Sequence, residues 1–259
     1  MELLSLLLNT LTANWQIIVA FFVIAVLYSS VGFGGGSSYL AVLSLFGLPF
    51  IQMRALALIC NITVASGNIY GFIKRKEYQW RKVLPLILIS VPLAFLGGKT
   101  SINKTHFSIF LATILILAAI FMLIAHYVKP SVKKARQNSL KDFSFGGIVG
   151  FISGMVGIGG GIFLAPLLHL TKWDTPKKIA ASASLFIFAN SIAGLIGQSQ
   201  NPTFYFDPLY TSILVLTVFI GGQIGSRMQE KIISPILLKR MTAFLILFIG
   251  IKLLIEHLF

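Results

Sequence analysis

The sequence predicts an all-α polytopic membrane protein made of two inverted repeats, each a glycine-broken helical hairpin plus three transmembrane helices. Three observations carry this reading: an apolar composition, two matching glycine runs, and a reversal of loop charge between the halves. Of 259 residues, 56% are hydrophobic and 11% charged, whereas a soluble globular domain carries about 25% charge. The 21 Lys and Arg outnumber the 7 Asp and Glu, for a net charge of +14. Nucleic-acid binders gather such charge on water-exposed faces. Here it lies in short clusters between long apolar runs, as in the loops that flank membrane spans, so the expected surroundings are a lipid bilayer and no nucleic acid. One cysteine, Cys60, excludes an intramolecular disulfide framework and any multi-cysteine metal site. Residues 1–14 lack the basic start of a cleavable signal peptide.

A spanning helix needs about 20 mostly apolar residues, which places candidate membrane segments at 11–47, 50–73, 83–98, 105–127, 143–171, 179–200, 208–226 and 233–258. Segments 11–47 and 143–171 are too long for one span. Each carries the same interruption, Val31-Gly32-Phe33-Gly34-Gly35-Gly36 in the first and Val156-Gly157-Ile158-Gly159-Gly160-Gly161 in the second, 125 residues apart. Gly97-Gly98 recurs as Gly221-Gly222, and Ser66-Gly67-Asn68 lines up with Asn190-Ser191. The chain reads as a duplication: an N-terminal repeat 1–130, a basic cytoplasmic linker 131–141 and a C-terminal repeat 142–259.

Loop charge sets the orientation of the repeats. Loop 74–82 holds Lys74, Arg75, Lys76, Arg81 and Lys82, while its counterpart around 200–207 holds no Lys or Arg. The loops flanking that counterpart carry Lys172, Lys177 and Lys178 on one side and Arg227, Lys231, Lys239 and Arg240 on the other. If basic loops stay cytoplasmic, the halves are inverted, and each makes an odd number of crossings. Four full spans per half would give a parallel repeat, so one segment in each half goes in and comes back. The glycine-interrupted segments fit this as hairpins, and both termini then face away from the cytoplasm.

Backbone at membrane depth must find partners, so a non-helical glycine run is tolerated only where it is buried in protein or lines a cavity. A helix starting just after it aims unpaired amides and a positive dipole end at the gap. Two such starts, at Gly36-Ser37-Ser38 and near Gly161-Ile162, are suited to face one anion. The expected substrate-binding set is therefore Gly34, Gly35, Gly36, Ser37 and Ser38 from the first run and Gly159, Gly160 and Gly161 from the second. Asn61 and Asn68 from span 50–73, and Asn190 and Ser191 from span 179–200, complete it. For each buried Asn or Ser, structural interhelical bonding and substrate contact are both open readings. Because the second run continues with Ile162-Phe163, the site is expected to be polar on one wall and apolar on the other. Gly97-Gly98 and Gly221-Gly222 read as close-packing positions, Arg54 and Lys178 as interfacial topology charges with steering of anions towards a vestibule as the alternative, Asp174 and Asp207 as cap or turn residues.

No carboxylate lies well inside a span, and there are no paired acids, Cys/His clusters or Ser-His arrangement, so neither an intramembrane enzyme, a metal site nor a cofactor is expected. Gly98-Lys99-Thr100 imitates the end of a phosphate-binding loop, but the glycine required five positions before Gly98 is Leu93.

The segments Val31 to Gly36 and Gly154-Met-Val-Gly-Ile-Gly-Gly-Gly-Ile-Phe-Leu-Ala-Pro166 resemble the paired signature of the sulfite exporter TauE/SafE family of membrane permeases. Lys177-Lys178 followed by Ala180 to Ser184, the stretch Gly71 to Trp80, and Gly221 to Arg227 add to the resemblance, which covers essentially the whole chain. It departs where Leu56 to Asn61 lacks the small-residue and serine pattern of Ala180 to Ser184, and where Ser37-Ser38 replaces apolar residues. The resemblance implies an inner-membrane secondary transporter of small anions, such as sulfite, sulfonates or other organosulfur anions, working by alternating access, with room for a coupling ion. A passive anion channel is the alternative. Direction of transport, coupling ion and oligomeric state are not written in the sequence.

Overall fold

With no water at membrane depth, backbone groups must bond within their own segment, which makes helix the outcome for long apolar stretches. The computed structural model describes residues 2–101, 103–127, 139–171, 173–228 and 235–258, and these contain helices and connecting turns but no strand. The helices are α1 (Glu2–Ala13), α2 (Trp15–Ser30), α3 (Gly36–Leu45), α4 (Phe50–Lys74), α5 (Trp80–Lys99), α6 (Lys104–Tyr127), α7 (Ser139–Val156), α8 (Gly161–Leu170), α9 (Pro176–Ser199), α10 (Pro208–Arg227) and α11 (Pro235–Leu258). Among the described residues five of them, in α4, α5, α6, α9 and α10, contain stretches long and apolar enough to cross a membrane. Most of the linker expected at 131–141 lies outside the described residues, and its last three positions are the first turn of α7.

Segment 11–47 differs from a single hairpin. Its first residues belong to α1, which ends at Ala13, so the hairpin is α2 and α3 alone. The arms are antiparallel: the Phe21 ring stacks on Tyr39 with centroids 4.5 Å apart, and the Tyr28 hydroxyl lies 2.6 Å from that of Ser38. Segment 143–171 breaks in the same way into α7 and α8. Pro176 and Pro208 start α9 and α10, where a missing N–H costs nothing. Asp207 caps α10 by accepting from the amides of Leu209 (2.9 Å) and Tyr210 (3.1 Å).

Glycines set the helix spacings. Gly146, Gly150 and Gly154 of α7 ride on Leu86, Ser90 and Ala94 of α5, so these helices run parallel in contact; a Cβ on Gly150 would fall 2.8 Å from Ser90 Cβ. Gly221 and Gly225 of α10 ride likewise on Phe22 and Val26 of α2. Gly97 packs on the Phe151 carbonyl and Gly98 on that of Gly194, close-packing positions as expected; of the second pair Gly221 packs closely on Phe22, while a Cβ on Gly222 would meet Val64 at an ordinary 3.6 Å. The packing has an exchange pattern: α2 meets α10 as α7 meets α5, α4 meets α10 as α9 meets α5, and α6 meets α8 as α11 meets α3.

At the centre α4 and α9 cross antiparallel. Phe72 and Ala180 flank Gly32, Asn61 and Ile187 flank Gly34, and Leu58 touches Gly194, so residue numbers fall along one helix as they rise along the other. One apolar core, with Leu40, Leu43, Phe107, Leu111 and Ile246, joins α3, α6 and α11. A second, with Leu86, Val149, Leu164 and Phe186, joins α5, α7, α8 and α9. Leu88, Ile148, Leu216, Phe244 and Phe248 point outward and exposed, a surface suited to acyl chains.

Candidate functional site

Both glycine runs are unwound tips that end in a new helix. After α2, the Gly32 amide donates to the Ser29 carbonyl (3.0 Å) and the Phe33 amide to that of Tyr28 (2.9 Å). Gly35 then takes φ +92° and caps α3. After α7, the amides of Gly157 and Ile158 donate to the Ser153 carbonyl (2.8 and 3.1 Å), and Gly160, at φ +82°, caps α8. Left-handed backbone of this kind costs a side-chain-bearing residue about 1–2 kcal/mol, which is why glycine stands here. Neither helix start has a side-chain cap. The first amide to bond back is Ser38 in α3 and Phe163 in α8, so the amides of Gly36 and Ser37, and of Gly161 and Ile162, carry the positive ends of two helix dipoles.

Asn61 of α4 holds the tips together. Its Nδ2 donates to the Ile158 carbonyl (2.8 Å), while its Oδ1 is buried without a hydrogen-bond partner. A Cβ on Gly34 or Gly36 would collide with the Asn61 amide, and one on Gly159 would lie 2.6 Å from Ser191 Oγ. Seven residues further along α4, Asn68 serves the other tip: its Nδ2 donates to the Phe33 carbonyl (3.1 Å) and its Oδ1 accepts from Ser29 (2.7 Å). One helix face therefore satisfies one carbonyl of each tip.

Between the tips lies a cavity of about 40 Å³, room for about three waters at roughly 10–15 Å³ each. Of the expected residues, Gly34, Gly35, Gly36, Ser37, Asn61 and Gly161 line it. The others sit behind it. Ser38 is bonded to Tyr28, Asn68 is a clamp, and Gly159 and Gly160 form the back of the second tip. Ser191 Oγ and both amide atoms of Asn190 are buried without hydrogen-bond partners outside the cavity lining. Tyr28, Phe33, Met122, Ile158, Ala165, Pro166 and Ile187 also line it. No pattern around Met122, at the far end of α6, could have announced it. The wall from α8, with Ile162, Ala165 and Pro166, is apolar and that from α3 is polar at Ser37, the asymmetry read from the sequence.

Arg54 departs from expectation. It is not an interfacial charge; its side chain is 3% exposed, because the start of α4 is packed inside the protein with the Arg54 backbone against Gly157. Its Nη2 donates to the carbonyls of Gly98 (3.3 Å) and Gly154 (3.4 Å).

At the Lys74 end of α4, two contacts join the halves. The Tyr78 hydroxyl lies 3.2 Å from that of Ser184; burial pushes the Tyr78 pKa up to about 12 against the opposing effect of this hydrogen bond. Lys82 Nζ sits 2.7 Å from Asp174 Oδ2, with Lys178 at 3.7 Å from Oδ1. Partial burial of Asp174 raises its pKa, but the hydrogen bonds from Lys82 and the Thr175 amide and the two lysine charges outweigh it and hold the carboxyl below its ordinary value.

The family model for "Sulfite exporter TauE/SafE" matches residues 17–253. The probable membrane transporter protein y4hK of Sinorhizobium fredii is 31% identical over 241 residues, covering 91% of this chain and 96% of that one. A probable membrane transporter protein of Methanocaldococcus jannaschii is 27% identical over 262 residues, covering 92% and 94%, and YunE of Bacillus subtilis, also a probable membrane transporter protein, is 24% identical over 231 residues, covering 82% and 83%. No solved structure matches. A helical bundle with membrane-length spans, paired glycine tips and this match over most of its length belongs to the TauE/SafE family of membrane transporters, and is a transporter rather than an enzyme.

Proposed function

We propose that the protein is a secondary transporter of small anions, sulfite, sulfonates or other organosulfur anions, working by alternating access across the inner membrane. The observation that carries this is the cavity between two uncapped helix starts. Unpaired amides converge there with Asn61 and Ser37, and among the described residues no carboxylate lines the space. Neutral donors and dipole ends attract an anion without the desolvation cost of a permanently buried cation. The repeats are inverted, with both termini extracytoplasmic; the antiparallel crossing of α4 and α9 and the exchanged packing pairs support this, as does the reversed loop charge. Rocking one half against the other about that crossing is the motion such a design offers.

Uptake of radiolabelled sulfite, sulfoacetate or taurine into proteoliposomes tests the reading. Accumulation above the external concentration, driven by an ion gradient, is expected. Flux that only equalises the two sides means a passive anion channel, and no flux of any tested anion rejects the substrate class.

A further inference from the structure

The register between α4 and α9 places more polar groups together than the tip cavity uses. Leu58 touches Gly194 across the antiparallel crossing. By that register, one turn from the contact, Arg54 on α4 is level with Gln198 on α9. On the other side of the contact, Asn61 comes opposite Asn190 and Ser191. Arg54 and Asn61 share a helix face seven residues apart, a separation of about 10 Å along the axis.

The Arg54 and Gln198 rung is buried and unsatisfied. Arg54 is 3% exposed and so is Gln198. Arg54 Nε, both amide atoms of Gln198 and both of Asn190 are without hydrogen-bond partners, where buried polar atoms are almost always bonded. The two bonds that Arg54 makes, at 3.3 and 3.4 Å, are longer than the 2.7–2.9 Å typical of charge-assisted pairs. They go to carbonyls near the C-terminal ends of α5 and α7, whose dipoles favour a cation. Among the described residues no carboxylate pairs with it. The Gly98 carbonyl also accepts from Asn201 (3.3 Å), so it keeps a donor if Arg54 turns away. A structural role would employ Nη2 on the two carbonyls and the guanidinium face over the Phe107 ring, 5.9 Å from its centroid, and would leave Nε and Gln198 with nothing to do.

We propose that Arg54 and Gln198 form a second oxyanion station on the translocation path, one rung from the tip cavity toward the end of the bundle that carries Lys99 and Asn201. This rests on the transport reading above. The guanidinium edge, Nε with a terminal nitrogen, matches two oxygens of a sulfite, sulfonate or carboxylate, and the Gln198 amide donates to the third oxygen that sulfite and sulfonates carry. Asn190, one turn beyond Gly194, offers donors between the station and the cavity. An anion leaving the cavity on this side exchanges neutral donors for a cation, and the weak carbonyl bonds of Arg54 give way to charge-assisted ones.

The test uses the full-length protein with sulfite, sulfoacetate and acetate as probes, and the variants Arg54→Gln, Arg54→Lys and Gln198→Leu. In proteoliposomes of known orientation, the variants are expected to raise the half-saturating sulfite concentration about tenfold or more from the Lys99 face. From the Lys82 face the change is expected to stay below about twofold. Gln198→Leu leaves the carbonyl contacts of Arg54 intact, so it reports on the station even if Arg54→Gln folds poorly. Equal changes from both faces, or none, overturn the station and leave the transport reading standing. If the parent moves none of the anions but shows a thermal shift with one that Arg54→Gln and Gln198→Leu lose, an anion site at Arg54 and Gln198 stands, while its place on a translocation path falls with the transport reading. A parent with neither flux nor shift overturns both.

Discussion

Asn61 donates a 2.8 Å hydrogen bond to the backbone carbonyl of Ile158, 97 positions along the chain, and so pins the second glycine tip to α4, the helix after the first hairpin. Asn68 does the same for Phe33 at 3.1 Å. The tips cannot separate without breaking one of these bonds, which makes α4 the element that couples the two halves at the cavity.

Replacing Asn61 with Ala removes the donor and leaves the Ile158 carbonyl buried and unpaired, at a cost of about 1–3 kcal/mol. The expected result is a lower unfolding temperature together with loss of sulfite flux. Asn61→Asp keeps the shape but sets an acceptor against a carbonyl and a negative charge against an anion, so it is expected to abolish flux more completely than Ala. Retained flux in Asn61→Asp would remove this residue from the site.

Alanine substitutions at the glycines separate conformation from space. Gly34→Ala drives a methyl group into the Asn61 amide, and Gly160→Ala adds both a positive φ and a methyl 2.8 Å from Phe186 Cε1. Overpacking of this kind costs about 1–3 kcal/mol of stability; with about 1.4 kcal/mol of that strain falling on the transport barrier, because both clashes displace the tips themselves, flux drops about tenfold. Gly47 is the control: it has φ +68° but open space around its Cβ, so Gly47→Ala is expected to lose about 1 kcal/mol of stability and keep its flux. Equal loss of flux in all three would mean that backbone strain, not the tip geometry, is what matters.

The glycine tips were legible because their chemistry is local: a left-handed cap before an apolar helix admits little but glycine, and Gly35 and Gly160 announce themselves without a partner in view. The polar and apolar walls were legible for the same reason, since Ser37 and Ile162 follow their tips directly. Arg54 was not. A cation within five residues of the start of a span is usually an interfacial charge, and only the packing of α4 against Gly157 buries this one. Asn190 and Ser191 show a second limit. A helix turns about 100° per residue, so adjacent polar residues face different neighbours, and sequence does not say which of them meets Gly159. The separation of α1 from α2 at Asn14 was hidden because the run from 11 onward is apolar on both sides of the break.

The buried glycine crossing of α5 on α7 predicts a stability effect remote from the cavity. Gly150→Ala places a methyl 2.5 Å from the Ser90 carbonyl and 2.7 Å from its Cα, backbone that cannot turn aside, so the helices must part. A loss of about 1–3 kcal/mol is expected, read as a lower unfolding temperature. Gly222→Ala, whose Cβ would meet Val64 at an ordinary 3.6 Å, is expected to be close to neutral. Similar unfolding temperatures for the two variants would show that these spacings are softer than their geometry implies.

Asp174 gives the pH dependence a sign. Its folded pKa is held below the ordinary value by Lys82, the Thr175 amide and Lys178 in spite of partial burial, so its contribution is fully present above the unfolded value near 3.9. That contribution is lost as pH falls through the lower, folded value. Asp174→Asn is therefore expected to unfold more easily at pH 7, by about 1–2 kcal/mol for the loss of a charge-assisted bond. Its unfolding temperature should also depend less steeply on pH than the parent's below about pH 4. Thermal melts of both proteins from pH 7 to pH 3 in one detergent check this, and the gap between the curves should narrow toward the acid end. Parallel curves over the whole range would mean that the 2.7 Å contact with Lys82 contributes nothing to holding residues 173–175 against the start of α5.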